Sequence, residues 1–220
     1  MPDAAVITAV YGAYDTLKPV LPQDGLNVDW VCVTDDPTFR GGALGWRMVY
    51  QPAPGLPPNR AAKAAKLRPD VFTPAPASVW IDASFRITSP TFAADVLAFA
   101  DPIAQFLHPW RDCLYEEAQA SALLAKYAGE PIVGQVAAYR EGDYPEHWGL
   151  WAAGVIARKH TPQVREFGIR WGEEIDWWSF QDQVSEPFVL RELGLRPTNL
   201  PGTHFANQWI TYEGSDDHEP

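Results

Sequence analysis

The stretch SVWIDASF, residues 78–85, begins as a run of apolar, strand-forming side chains and stops on a carboxylate at Asp82. A continuous apolar run of this length suits a strand covered on both faces, as in a parallel sheet flanked by helices. Working outward, three earlier runs have the same character. They are AAVITAV (4–10), broken at Tyr11-Gly12; VDWVCVT (28–34), ended by Asp35-Asp36-Pro37; and WRMVY (46–50). GVIARKH (154–160) reads as one more strand. Before SVWID lies NRAAKAAKLRP (59–69), Ala-rich, with Asn59 as N-cap and Pro69 disfavouring helix at Arg68. Downstream the pattern is helical over 112–129, 130–142, 161–179 and 181–194, with Pro187 expected to bend or interrupt the last. Strands with a helix between them, then helices, indicate an α/β domain with a mostly parallel sheet and a helical C-terminal half. The expected organisation is one domain over 1–212 and an acidic flexible tail, EGSDDHEP, over 213–220.

Composition narrows the function. Of 220 residues, 46% are apolar and 20% charged, enough for a substantial core. Asp and Glu outnumber Lys and Arg 28 to 17, a net charge of −11, which argues against nucleic acid or an anionic membrane as partner. Two cysteines, Cys32 and Cys113, make neither a disulfide framework nor a Cys-type zinc site. The first residues, MPDAAVITAV, lack a signal-peptide pattern, and no apolar stretch is long enough to span a bilayer. The expected address is the cytoplasm. Ten tryptophans are compatible with a site for a ring-shaped ligand such as a sugar, and equally with core filling. The G-x-S-x-G, G-x-x-x-x-G-K-[ST], H-E-x-x-H and G-x-G-x-x-G patterns are absent from the sequence, against hydrolase, P-loop, metalloprotease and dinucleotide readings.

In open α/β sheets ligands gather at the carboxyl ends of the strands. Those ends carry Tyr11, Tyr14 and Asp15; Thr34, Asp35 and Asp36; and Asp82 with Ser84. An acid-x-hydroxyl pair can hold a hard divalent cation through oxygen, and a strand-end Asp can equally cap a turn. Residues 37–69 hold six bases and no acid. Among them Arg60, Lys63 and Lys66 recur every third residue, drifting about 60° per step around a helix. They form either a diphosphate clamp or a solvated face. HPWRDCLYEEA (108–118) groups His108, Arg111, Asp112, Glu116 and Glu117. Arg111 and Glu116 suit a buried structural pair, with Glu117 expected exposed. Asp182 sits at a helix start, where it can complement the helix dipole or act on an acceptor hydroxyl as a base. His204 is either a distant metal ligand or an ordinary loop residue.

The motifs VYGAYDTL, CVTDD, NRAAKAAKLRPDVF, SVWIDASFRI, HPWRDCLYEEA, GVIARKH and QDQVS occur in one order. From about Val6 to Leu193, that series resembles a glycosyltransferase-like domain family. The family is shared by plant Golgi proteins linked to pectin and mucilage and by bacterial and phage proteins, and was long filed as a domain of unknown function. The resemblance implies a GT-A type fold, a nucleotide-diphosphate sugar donor, most naturally a UDP-sugar, an acceptor hydroxyl on a glycan or other molecule, and Mn²⁺ or Mg²⁺. It assigns Tyr11, Tyr14, Asp15, Thr34, Asp35, Arg60, Lys63 and Lys66 to the donor. Asp82 and Ser84 match the family's metal element, and Asp182 the acid of an element near the acceptor, where it is expected to be catalytic. Beyond those matches, Thr8 is expected on the donor side, His204 as a further metal ligand, and His108, Arg111 and Glu116 on the acceptor side. Ala83 and Gln181 stand where the family favours Gly and Arg. A nucleotide- or sugar-binding module without turnover, and a nucleotidyltransferase, are the alternatives.

Overall fold

The computed structural model describes residues 1–214. Its strands and helices, in chain order, are β1 (Ala4–Val10), β2 (Val28–Thr34), β3 (Arg47–Tyr50), α1 (Pro58–Ala61), α2 (Lys63–Leu67), β4 (Ala77–Ile81), β5 (Phe85–Ile87), α3 (Phe92–Phe99), β6 (Ile103–Leu107), α4 (Leu114–Ala122), α5 (Ile132–Glu141), β7 (Trp151–Lys159), α6 (Pro162–Trp177), α7 (Asp182–Glu192), β8 (Thr198–Leu200) and β9 (Ile210–Tyr212).

Seven strands form one sheet in the order β3-β2-β1-β4-β7-β6-β8. All are mutually parallel except β7, which runs antiparallel to both β4 and β6. Every residue of β1 is buried, as its unbroken apolar run requires. Along it the side chains alternate. Ala5, Ile7 and Ala9 join a core with α2, α4, α5, α6 and α7, whereas Val6 and Val10 join a second core with α3, Trp46 and Trp209. The result is a three-layer α/β fold with the larger helical layer on one face.

Strand order reverses at β1, with β2 on one side and β4 on the other. That switch point opens a crevice at the carboxyl ends of β1 and β4. The chain then contributes to the crevice twice more. β7 starts beside the end of β4, with Val155 opposite Ile81. A turn closed by Phe85 N–H on Asp82 O leads into β5, which pairs antiparallel with β9. This two-stranded ribbon returns residues 204–212 to the end of β4.

Several local expectations need correction. The 59–69 helix starts at Pro58, with Pro57 rather than Asn59 at the N-cap, and divides at Ala62 into α1 and α2. α4 ends at Ala122, well short of Gly129. α7 runs through Pro187 without interruption, its buried face packed on α6 and β7. Packing there offsets the backbone hydrogen bond that proline cannot donate. The 161–179 helix matches its signals: Pro162 occupies the first turn and Thr161 Oγ1 accepts from Val164 N–H at 3.2 Å. Of the expected tail, 215–220 lie outside the described residues, while Glu213 N–H donates to Ser84 O and its carboxylate pairs with Arg86. No helix among the described residues is long and apolar enough to cross a membrane.

Candidate active site

A cleft of about 320 Å³ lies at the carboxyl ends of β1, β4 and β6. From the end of β1 it takes Tyr11, Tyr14 and Asp15. The Tyr11 hydroxyl donates to Gln51 O at 3.0 Å, and burial, then Asp35 and Cys32, push its pKa up to about 12. Gly12 makes the turn at φ +58°, so close to α1 that an added Cβ would lie 2.7 Å from Pro58. Its N–H donates to Asp35 Oδ1 at 3.1 Å. Asp35 is therefore a brace for the Tyr11–Asp15 loop, outside the residues that line the cleft. Thr8 and Thr34 are buried in their strands and do not line the cleft either; Thr34 Oγ1 accepts from Asp36 N–H.

α2 presents Lys63 and Lys66 to the cleft. Both ammonium groups bond Asp182 Oδ2 at the start of α7, Lys63 at 2.6 Å and Lys66 closer still. Burial alone would raise the Asp182 pKa, but the two lysines outweigh it and hold the carboxyl far below its usual range. Burial lowers the Lys63 pKa. For Lys66, burial is outweighed by Asp182 and Asp82, and its pKa is raised. A carboxylate shared between two ammonium groups is a poor proton acceptor. The expected catalytic base at 182 is in this geometry a holder of lysines. Arg60 departs further from expectation. It lies in α1, not on one continuous helix with the lysines. Its guanidinium donates to Ile175 O, Trp178 O and Glu130 Oε2 at 2.6–2.9 Å, tying down the end of α6.

Behind this pair lies a buried second layer. Arg158 of β7, fully buried, donates to the Lys66 carbonyl and fixes the end of α2. Glu186 of α7, also fully buried, is pushed up to about 8, by burial first, with Lys66 opposing.

Asp82 stands one residue past β4 with its side chain 40% exposed. Trp80 Nε1 donates to its Oδ1 at 2.7 Å, and Lys66 Nζ lies 3.9 Å from the same oxygen. Gly154 of β7 leaves room beside the other oxygen: a Cβ there would sit 3.2 Å from Asp82 Oδ2 and 2.9 Å from the Phe85 ring. Ser84 and His204 line the same cleft. His204 Nδ1 is buried without a hydrogen-bond partner among the described residues, and burial brings its pKa down to about 4.

These groups can be tested against a divalent cation. No three His, Cys, Asp or Glu side chains gather into a metal-binding group among the described residues. The available set is one carboxylate, one hydroxyl and one neutral imidazole. That suits a hard cation that keeps water and phosphate oxygens in its remaining positions. The charge balance favours one. Asp15, Asp82 and Asp182 are matched by Lys63, Lys66 and Lys126, so a bound diphosphate would bring negative charge that the lining does not offset.

The far wall is aromatic. His108 follows β6 and is buried. Its Nδ1 accepts from the N–H groups of Trp110 and Arg111 at 3.4 and 3.1 Å, which places the proton on Nε2, 3.4 Å from Glu117 Oε2. Burial, with Arg111 and His204, brings its pKa down to about 4. The Arg111 partner is Glu117, at 2.7 Å, and not Glu116. α4 begins at Leu114, so Glu117 shares the inner face with Leu114 and Ser121 and accepts from Ser121 and Gln181, while Glu116 is exposed and outside the cleft. Trp110 stands 50% exposed against Phe205, 42% exposed, with ring centroids 5.6 Å apart. Gln183, from the QDQVS motif, also lines the cleft, as do Lys126, Tyr127 and Phe180, which carry no sequence signal of their own.

Among solved structures, the fold is similar to an apo structure of WbbM, a bifunctional glycosyltransferase. The TM-score is 0.55 at 13% identity, over 91% of this chain and 39% of that one. The chain thus spans well under half the length of that protein, and at this identity the likeness speaks for a GT-A-like α/β fold alone. Comparison with curated proteins finds no match. A family profile does match, over residues 3–206, nearly all of the described fold. On that match, the chain belongs to the TOD1/MUCI70 glycosyltransferase-like domain family.

Proposed function

We propose that this domain transfers a sugar from a nucleotide-diphosphate donor, a UDP-sugar, to an acceptor hydroxyl. The observation that carries the reading is Asp82 at the end of β4, in one cleft with Ser84, His204 and the Lys63–Lys66 pair. The loop Tyr11–Asp15 would frame the nucleotide. Lys63 and Lys126 would face the diphosphate as point charges, with Asp182 holding Lys63 and Lys66 in place. Asp82, Ser84 and His204 would hold Mn²⁺ or Mg²⁺. When bound, such a cation supplies positive charge against the departing diphosphate. In the transfer, the bond from the anomeric carbon to the phosphate oxygen breaks with its electron pair leaving on UDP. A bond to the acceptor oxygen forms as that oxygen passes its proton to solvent.

Incubation with UDP-sugars and manganese tests this directly. Released UDP, with or without acceptor, supports transfer; no release and no UDP binding defeats it. The capture of Asp182 by two lysines favours one alternative, a module that binds a nucleotide sugar without turnover. UDP binding with no release across the panel would support that module. A nucleotidyltransferase would instead liberate pyrophosphate from a nucleoside triphosphate.

A further inference from the structure

We infer that Trp110 and Phe205 form a stacking platform for a pyranose ring, so that the acceptor is a glycan. This rests on the donor reading above and names the acceptor class at the same site. Large aromatic side chains usually bury most of their surface, and these two leave about half of theirs in water side by side at the cleft. The rings are tilted 39° to each other and form one wall of the cleft. A sugar presents an apolar C–H face that an aromatic ring can cover, while its hydroxyls stay with polar partners.

The platform is held in place. His108 is buried and takes two backbone N–H bonds from the Trp110–Arg111 turn, and Arg111 is anchored on buried Glu117. An exposed tryptophan on a pinned turn loses little conformational freedom when a ligand covers it. Phe205 arrives from the segment leading into β9, against His204 at 4.0 Å between ring centroids. His204 in turn meets the Phe85 ring at 5.8 Å, just past the end of β4, where the donor's anomeric carbon would sit. A ring stacked there would hold a hydroxyl toward the donor.

The test is a fluorescence titration of the full chain with gluco-, galacto-, manno- and xylo-tetraoses, with UDP titrated separately. At least one tetraose should give a saturable change in tryptophan emission. Trp110→Ala should abolish that response, and Phe205→Ala should weaken binding by about tenfold. Trp177→Ala, at an exposed tryptophan outside the cleft, should leave it intact. No saturable response to any tetraose, equal binding by Trp110→Ala, or equal loss in Trp177→Ala would overturn the platform. So would a response only to an apolar alcohol such as octanol. The two readings fail separately. UDP binding without a tetraose response removes the platform alone. A tetraose response at Trp110 without UDP binding removes the donor reading and leaves the platform.

Discussion

The two walls of the cleft solve opposite problems. The wall built from α2 and the start of α7 is charged and closed: Lys66 and Asp182 are buried, and each ionic group has a partner. The wall built from the end of β6 and the segment before β9 is aromatic and open, with its two histidines kept neutral. Buried charges are costly to uncouple, because the group left behind has neither water nor counter-ion. Exposed aromatics cost the fold little and are available to a ligand. The charged wall should thus tolerate change poorly in stability, and the aromatic wall should show its changes mainly in binding.

That contrast can be broken first at Asp182. Asp182→Ala strands two ammonium groups and should cost about 3–5 kcal/mol of unfolding free energy. A loss below about 1 kcal/mol in urea denaturation would mean that the pair is solvated, not locked. Next is Lys63→Ala, which leaves Lys66 on Asp182. UDP affinity should fall roughly 10- to 100-fold, the worth of one charge-assisted hydrogen bond, with a loss of stability smaller than that of Asp182→Ala because Asp182 keeps Lys66. Calorimetry showing unchanged affinity would remove Lys63 from the donor site. Gly154→Ala should follow, with a several-fold weaker UDP interaction in manganese, since its methyl would crowd Phe85 and Asp82 Oδ2. An unchanged isotherm would show that the space beside Oδ2 is not used.

The smallest effect sharpens the contrast through pH. Glu186, behind the charged wall, has a pKa raised from 4.5 to about 8. Its stabilising contribution is fully present below about pH 4.5 and is lost as pH rises through about 8. His108 and His204, on the aromatic side, are lowered from 6.5 to about 4. Their contribution is present above about pH 6.5 and is lost as pH falls through about 4. Glu186→Gln should therefore flatten the alkaline limb of a melting-temperature profile and leave the acid limb unchanged. A variant profile parallel to wild type across both limbs would contradict the assignment.

The parallel half of the sheet was legible because each of its strands is an apolar run bounded by turn residues. In the other half only β7 was, through GVIARKH (154–160). β6 carries Gln105 in its middle, and β8, like β9 of the two-stranded ribbon, is three residues long, too short for a period to register. The same division holds for the site. Asp82, Lys63 and Lys66 announce themselves as a strand-end acid and an acid-free basic helix. Trp110 and Phe205 gain meaning only when the end of β6 and the β5–β9 pairing bring them to the cleft, and Lys126 only when the turn after α4 does. Arg60 was misplaced because the helix breaks at Ala62, and Glu116 because the phase of α4 is set by its start at Leu114. Both are shifts of a few residues that propensity alone does not resolve.

Metal-assisted donor binding through Asp82 is the most direct thing to measure. Titrate UDP into wild-type protein and into Asp82→Ala by calorimetry, each with and without manganese. The expected result is binding by wild type that strengthens markedly with manganese, and loss of that gain in a variant whose melting temperature is nearly unchanged. Equal affinity with and without the metal in wild type, or an unaltered manganese-dependent isotherm in the variant, would contradict it.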